Sequence, residues 1–260
     1  MPWDEAWHLD HEGRKKVTIA EMGQQEKVIR DTLELAKKKD TFDVLKGWRN
    51  ELYPIHGHND VMSETISMER AASPLFGINT YGVHMTAYVN TPGGMKIWVP
   101  KRAKSKQTYS GMLDNTVAGG LSTGEEPFEC VIREATEEAS FPEQLVRSRA
   151  KPCGIVSYVQ VRDKRAGGET GLIQPECQYI YDIEVDTDVE PKPGDNEVEA
   201  FYLWTVDEVK EALADGQFKP NCAVVLLDFF IRHGILTAES EPDYLEIASR
   251  IHRKLPFPTS

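Results

Sequence analysis

Very little in this sequence points to a membrane, a disulfide framework or a nucleic acid. No apolar run approaches the roughly twenty residues a bilayer-spanning helix needs, and the opening MPWDEAWHLDHEGRKKV contains nothing resembling a secretory leader. Cysteine is scarce: the four residues at 130, 153, 177 and 222 have neither metal-ligand nor redox spacing and read as free thiols of a reducing compartment. Basic residues are the minority charge. With 30 Lys and Arg against 42 Asp and Glu, the net charge of −12 argues against nucleic acid or an anionic membrane as a partner. Internal repeats and low-complexity tracts are also missing. What remains is a 260-residue chain, 40% hydrophobic and 28% charged, with enough apolar material for one sizeable core and a smaller appendage. The expectation is a soluble cytoplasmic protein that acts on a small molecule.

The texture of the chain changes near residue 77. Residues 1–76 are expected to form a helical N-terminal region, with the pattern of 19–46 reading as helix. Residues 77–260 are expected to form the main domain. There GINTYGVHMTAYV and MKIWVPKR flank the turn TPGG and predict a hairpin. The β-branched and aromatic runs at 151–161, 176–185 and 198–206 predict further strands. Two helices, at about 206–214 and 220–233, complete the chain, the second capped by Gly234.

The chemistry is concentrated in GGLSTGEEPFECVIREATEEASF, residues 119–141. Glu134, Glu137 and Glu138 stand at i, i+3 and i+4, so one face of a helix carries three carboxylates that repel one another. A hard divalent cation among them turns that repulsion to use, since all the ligands are oxygens. The competing explanation, a solvated helix face, does not account for the glycines and arginine at fixed distance from the glutamates.

This spacing resembles the signature of the Nudix hydrolases: Gly119, Glu125, Arg133, Glu134, Glu137, Glu138 and the apolar Ala135 and Phe141 all match it. The family's second glycine is Ser140 here, a departure that costs about 1 kcal/mol if that residue is left-handed. The resemblance implies a Nudix-type α/β/α sandwich with a mixed sheet, Mg²⁺ (or Mn²⁺ as substitute) as cofactor, Glu134, Glu137 and Glu138 as metal ligands with the carbonyl of Ala118 as a fourth, and an ion pair between Arg133 and Glu125. The segments GWRNELYPIHG, ERAASPLFGINTYGVHMTAYV, WVPKRAKSKQTYSGMLDNTVAGG and FKPNCAVVLLDFFIRHG extend the similarity to one Nudix subfamily. It includes fungal and plant proteins and the Nudix half of certain fungal thiamine pyrophosphokinases. It implies hydrolysis of thiamine diphosphate, and especially of its oxo and oxy analogues, to monophosphates.

Other groups are candidates by their chemistry. Hydrolysis of a diphosphate needs a base, from a box glutamate such as Glu137 or Glu138 or from a later loop, where Glu197 comes first and Glu199 second. Lys101 and Arg102, in a basic cluster just upstream of the box, are candidates to bind the diphosphate. His84 and Trp98, with Tyr81 and Tyr88, are candidates to contact the substrate ring. A pocket tuned to oxidised coenzyme is expected to hold no tightly placed carboxylate at that ring, because the oxo analogue lacks the thiazolium charge. Two rivals remain open: a Nudix hydrolase of another diphosphate, such as a nucleoside or prenyl one, and a non-catalytic Nudix-like binding module.

Overall fold

The computed structural model describes residues 8–9, 15–16, 19–56 and 66–256. The opening segment read above for a leader lies largely outside them. Two short strands, β1 (His8–Leu9) and β2 (Lys15–Lys16), pair with each other before the long helix α1 (Ile19–Lys38). This helix stops earlier than 46 because Asp40 takes a left-handed backbone, φ 50°, and the chain resumes as a 3-10 turn over Asp43–Gly47. A hairpin follows that the sequence pattern does not show, β3 (Leu52–Ile55) against β4 (Ile66–Glu69). Pro54 interrupts the apolar pattern of its first strand, as proline does in a strand with no partner on one side. The N-terminal region is therefore a helix on a strand pair, with Leu33, Leu45, Met68 and Ala72 packed between them, and it closes with the one-turn helix α2 (Ser73–Phe76).

The main sheet begins with the expected hairpin, β5 (Thr80–Thr91) and β6 (Gly94–Arg102). After β7 (Val117–Gly120) come the helices α3 (Pro127–Ala139) and α4 (Glu143–Arg149). The strands β8 (Lys151–Val161), β9 (Ile173–Glu184) and β10 (Val198–Thr205) occupy the runs picked out by composition. The sheet order is β10-β6-β5-β9-β8, with β7 paired to the first half of β5. It is mixed, because β5 and β9 run parallel while the other neighbours run antiparallel.

Two helical layers complete an α/β/α sandwich. The odd-numbered residues of β5 from Tyr81 to Val89 meet Cys130, Val131 and Ala135 of α3 and Val146 of α4 in one core. On the opposite face, Ile97 and Val99 meet the helices α5 (Val206–Ala214) and α6 (Pro220–Arg232) through Val209, Leu226 and Phe229. Thr205 and Glu208 form a reciprocal capping box that starts α5 at the expected residue. A further helix absent from the sequence reading, α7 (Tyr244–Ile251), packs on α6 and β8. Among the described residues no helix is long and apolar enough to cross a membrane.

The helix α3 ends at Ser140, which is left-handed at φ 54° and ψ 27°. This is the conformation that favours glycine, and Ser140→Gly should stabilise the fold by about 1 kcal/mol in chemical denaturation with turnover unchanged. A loss of stability on that substitution would show that the serine side chain compensates its own strain.

Candidate functional site

The site is built where β7 passes beneath α3. Gly119 lies opposite Val83 on the face of the sheet that α3 covers. The Glu134 carboxyl rests directly on it: a Cβ at position 119 would stand 2.1 Å from Glu134 Cδ, so no larger residue fits without displacing the carboxylate. One helical turn later Glu138 turns inward, and its Oε2 accepts the Ala118 N–H at 3.0 Å. The contact that Ala118 makes here is thus through its N–H, whereas its carbonyl was the expected contribution. Burial, reinforced by the neighbouring Glu134 and Asp114, pushes the Glu138 carboxyl well above the usual range. Burial likewise pushes Glu134 up to about 7, against the opposing charge of Arg133.

Arg133 ties the loop to the helix. Its Nε and Nη2 donate to the two oxygens of Glu125 at 2.8 and 3.2 Å, the ion pair expected from the motif. Its Nη1 donates to Glu134 at 2.8 Å and to Glu137 at 3.1 Å. Glu137 is consequently held on the solvent side by Arg133, with 53% of its side chain exposed, and does not join the inner carboxylates as the sequence pattern suggested. Among the described residues no group of three His, Cys, Asp or Glu side chains converges as a complete metal-ligand set. Glu134 and Glu138 remain as the fitting pair: a half-buried and a buried carboxylate, the charge of the first raising the proton affinity of the second, with oxygen donors suited to a hard divalent cation.

A cavity of about 540 Å³ reaches this loop at Ala118, Gly119 and Gly120. Its walls come partly from the N-terminal region. The Tyr53 hydroxyl covers Gly120 so closely that a Cβ there would lie 1.8 Å from it, and the Arg70 guanidinium stacks 5.3 Å from the Tyr53 ring. Arg70 also pairs with Glu51 at 2.8 Å, and Glu51 accepts from Ser122 in the box loop. Arg49, Arg70, Arg162 and Lys219 give the walls a cationic character that the acidic chain as a whole lacks.

Several expected contacts prove to be elsewhere. Arg102 is buried in an ion pair with Asp114 at 2.5 Å and bonds the Thr108 carbonyl, and Lys101 pairs with Glu199 at 3.1 Å on the β6–β10 edge; neither lines the cavity. Adjacent strand residues point to opposite faces, so the two could not have acted together. Trp98 lies in the core shared with α3, and Tyr88 packs edge-on against Phe229 and His233 on the other face. Glu197 is held by Lys106, with Arg49 4.0 Å away; burial works against its charge, but Lys106 holds its pKa below the ordinary value. Neither Glu197 nor Glu199 therefore presents an unpaired carboxylate for base catalysis.

His84 does line the cavity, with Tyr81 beside it. Its Nδ1 bonds Asn115 Oδ1 at 2.8 Å, and burial, aided by the Lys219 charge, lowers its pKa to about 4, leaving a neutral ring. Two carboxylates, Asp43 and Glu176, line the cavity as well. Arg49 was legible only as part of an unassigned segment. Arg70, Lys219 and Glu176 carry no local signal, because strand pairing and the N-terminal hairpin are what bring them here.

Residues 80–222 match the family model described as NUDIX domain. The chain belongs to the Nudix family. Residues 15–80 match a separate model described as a domain of unknown function, DUF4743. The chain is 42% identical over 235 residues to the uncharacterized protein YJR142W of Saccharomyces cerevisiae, covering 87% of this chain and 68% of that one. It is 38% identical over 212 residues to Nudix hydrolase 20, chloroplastic, of Arabidopsis thaliana, covering 81% of this chain and 54% of that one. Among solved structures it resembles DR0079 from Deinococcus radiodurans at 19% identity and a TM-score of 0.45, over 78% of this chain and 100% of that one. The Nudix box and the Nudix hydrolase relatives mark a hydrolase acting on pyrophosphate bonds, a family that uses divalent metal ions.

Two outcomes follow from the box geometry. Gly119→Ala should push the Glu134 carboxylate off its seat and lower phosphate release by about a hundredfold, the cost of a misplacement of about 1 Å. Unchanged turnover would mean that Glu134 need not sit where it does. Millimolar Mg²⁺ or Mn²⁺ should raise the melting temperature of the wild type, and Glu138→Gln, which keeps the side-chain volume, should shrink that rise while the fold is retained. An undiminished rise would place the cation elsewhere.

Proposed function

We propose that this chain hydrolyses thiamine diphosphate and its oxidised analogues, oxothiamine and oxythiamine diphosphate, to the monophosphates and orthophosphate, with Mg²⁺ or Mn²⁺ at Glu134 and Glu138. The observation that carries the reading is a cavity that reaches Ala118, Gly119 and Gly120, the strand residues on which Glu134 and Glu138 rest, and that has cationic side chains in its wall. The thiamine assignment is supported by the sequence resemblance beyond the box, in the segments running from residue 47 to residue 234.

Within this reading the chain's own groups divide the task. Glu134 and Glu138 would hold the cation, which would supply positive charge to the diphosphate oxygens. Arg70 and Arg49 contribute guanidinium donors from the N-terminal side, and Lys219 adds an ammonium from the start of α6. Arg133 keeps the loop and helix in register through Glu125. His84, neutral at physiological pH, contributes a polar contact without adding charge near the ring.

The reading is tested by phosphate release from thiamine, oxothiamine, oxythiamine, adenosine and isopentenyl diphosphates with Mg²⁺. The oxidised thiamine species should show the highest specificity constants and thiamine diphosphate should exceed the other two. Preference for the adenosine or isopentenyl compound would leave the Nudix chemistry and remove the thiamine assignment. Arg70→Ala should raise KM about tenfold or more, the worth of a charge-assisted hydrogen bond, with a smaller effect on kcat. A change confined to kcat would remove Arg70 from substrate binding.

A further inference from the structure

The cavity floor is formed by neighbouring positions on three strands. The pairing of β5 with β9 sets Thr80 beside Glu176 and Gly82 beside Gln178, and the pairing of β8 with β9 sets Tyr158 opposite Glu176 and Gln160 opposite Gln174. Glu176, 5% exposed, receives four donors: Tyr158 Oη at 2.5 Å, and the side-chain amide nitrogens of Gln160 at 2.7 Å, Gln174 at 2.5 Å and Gln178 at 2.8 Å.

An ionised carboxylate only accepts, so it decides which way each amide faces. All three NH₂ groups turn toward Glu176, and the carbonyl oxygens must turn away. The oxygen of Gln174 is used, accepting from Arg162 Nη1 at 3.0 Å. That of Gln178 is not: the residue is 6% exposed and its Oε1 has no hydrogen-bond partner. Gly82 makes room for this oxygen in the cavity wall, since a Cβ there would come within 2.4 Å of it. A buried acceptor left unpaired costs about 1–3 kcal/mol, a cost that a donor reaching it from the cavity would remove. His84 stands two residues from Gly82 in the same cavity wall, its Nδ1 committed to Asn115.

We infer that Gln178, oriented by Glu176, is a specificity-determining residue that accepts a hydrogen bond from an N–H group on the heterocycle of the substrate. Glu176 is a positioning residue; its own oxygens are already occupied. The inference rests on the cavity being the substrate site and deepens the proposed function, because the aminopyrimidine of thiamine carries such an N–H edge and a prenyl chain does not. It also gives the floor carboxylate a role that does not require a cationic ring.

The test uses equilibrium binding of unphosphorylated probes to the full chain, so that hydrolysis plays no part. Ligand-observed NMR titration would compare thiamine, adenosine and N6,N6-dimethyladenosine, whose amino hydrogens are replaced by methyl groups. Thiamine is expected to bind the wild type at least fivefold more tightly than it binds Gln178→Met, which keeps the length of the side chain and removes the amide. Glu176→Gln, which lets the Gln178 amide turn over, is expected to weaken thiamine in the same direction by a smaller factor. Equal affinity for thiamine in wild type and Gln178→Met overturns the inference, as does failure of both thiamine and adenosine to bind. Glu176→Gln with a lower melting temperature but unchanged affinity overturns the positioning role. If adenosine binds, loses affinity in Gln178→Met and exceeds its dimethyl analogue while thiamine does not bind, the floor assignment stands and the thiamine reading fails.

Discussion

The contact on which the site depends is the seat of the Glu134 carboxyl on Gly119. It requires a residue without Cβ on β7, a helix crossing that strand at close range, and a means of holding two carboxylates in one place. Each requirement is met by a different part of the motif. Gly119 gives the clearance, the small and apolar Cys130 and Ala135 let α3 lie close, and Arg133 bridges Glu125, Glu134 and Glu137 to keep the charges apart. The protein stores unfavourable electrostatics here, which a divalent cation would relieve. On the proposed reading, affinity for a metal and precision of the loop have one physical origin.

The N-terminal region is part of this arrangement and not an addition to it. Its hairpin bonds the box loop directly, with the Thr123 N–H donating to the Leu52 carbonyl at 2.9 Å and Ser67 meeting Thr123 at 3.0 Å. Tyr53 and Arg70 then cover Gly120, while Glu134 of α3 covers Gly119. The wall of the cavity is thus shared between two segments that match different family models. Opposed charges are distributed along it: cationic groups in the walls, and a carboxylate saturated by amides and a tyrosine on the floor.

Much of the main domain could be read in advance because its strands are apolar runs separated by turns, and those of β8 and β10 and the helix α5 fall within a residue of their expected limits. The hairpin of β3 and β4 could not, since Pro54 hides one strand and the pairing spans a polar connection. The helix α7 is short, and its pattern becomes meaningful only against α6 and β8. In the site, the glutamates, the arginine and the glycine were legible because a helix repeats on a fixed period and a motif is local. Lys101, Arg102 and Trp98 were misplaced for the complementary reason: proximity in sequence to the box does not say which face of β6 a side chain takes or which partner it finds.

The sequence by itself determined the local chemistry: which carboxylates share a helix face, which arginine can reach them, where the strand and helix periods run, and that the family is Nudix. Tertiary structure alone decided what surrounds that chemistry. Glu137 faces out because Arg133 holds it there, Glu197 is occupied because Lys106 reaches it across 91 positions, and the cavity draws on residues from Asp43 to Asn221. Contacts of that kind depend on strand order and on how the N-terminal hairpin lies over the loop. These are set by the packing of whole elements, and no local window of sequence contains them.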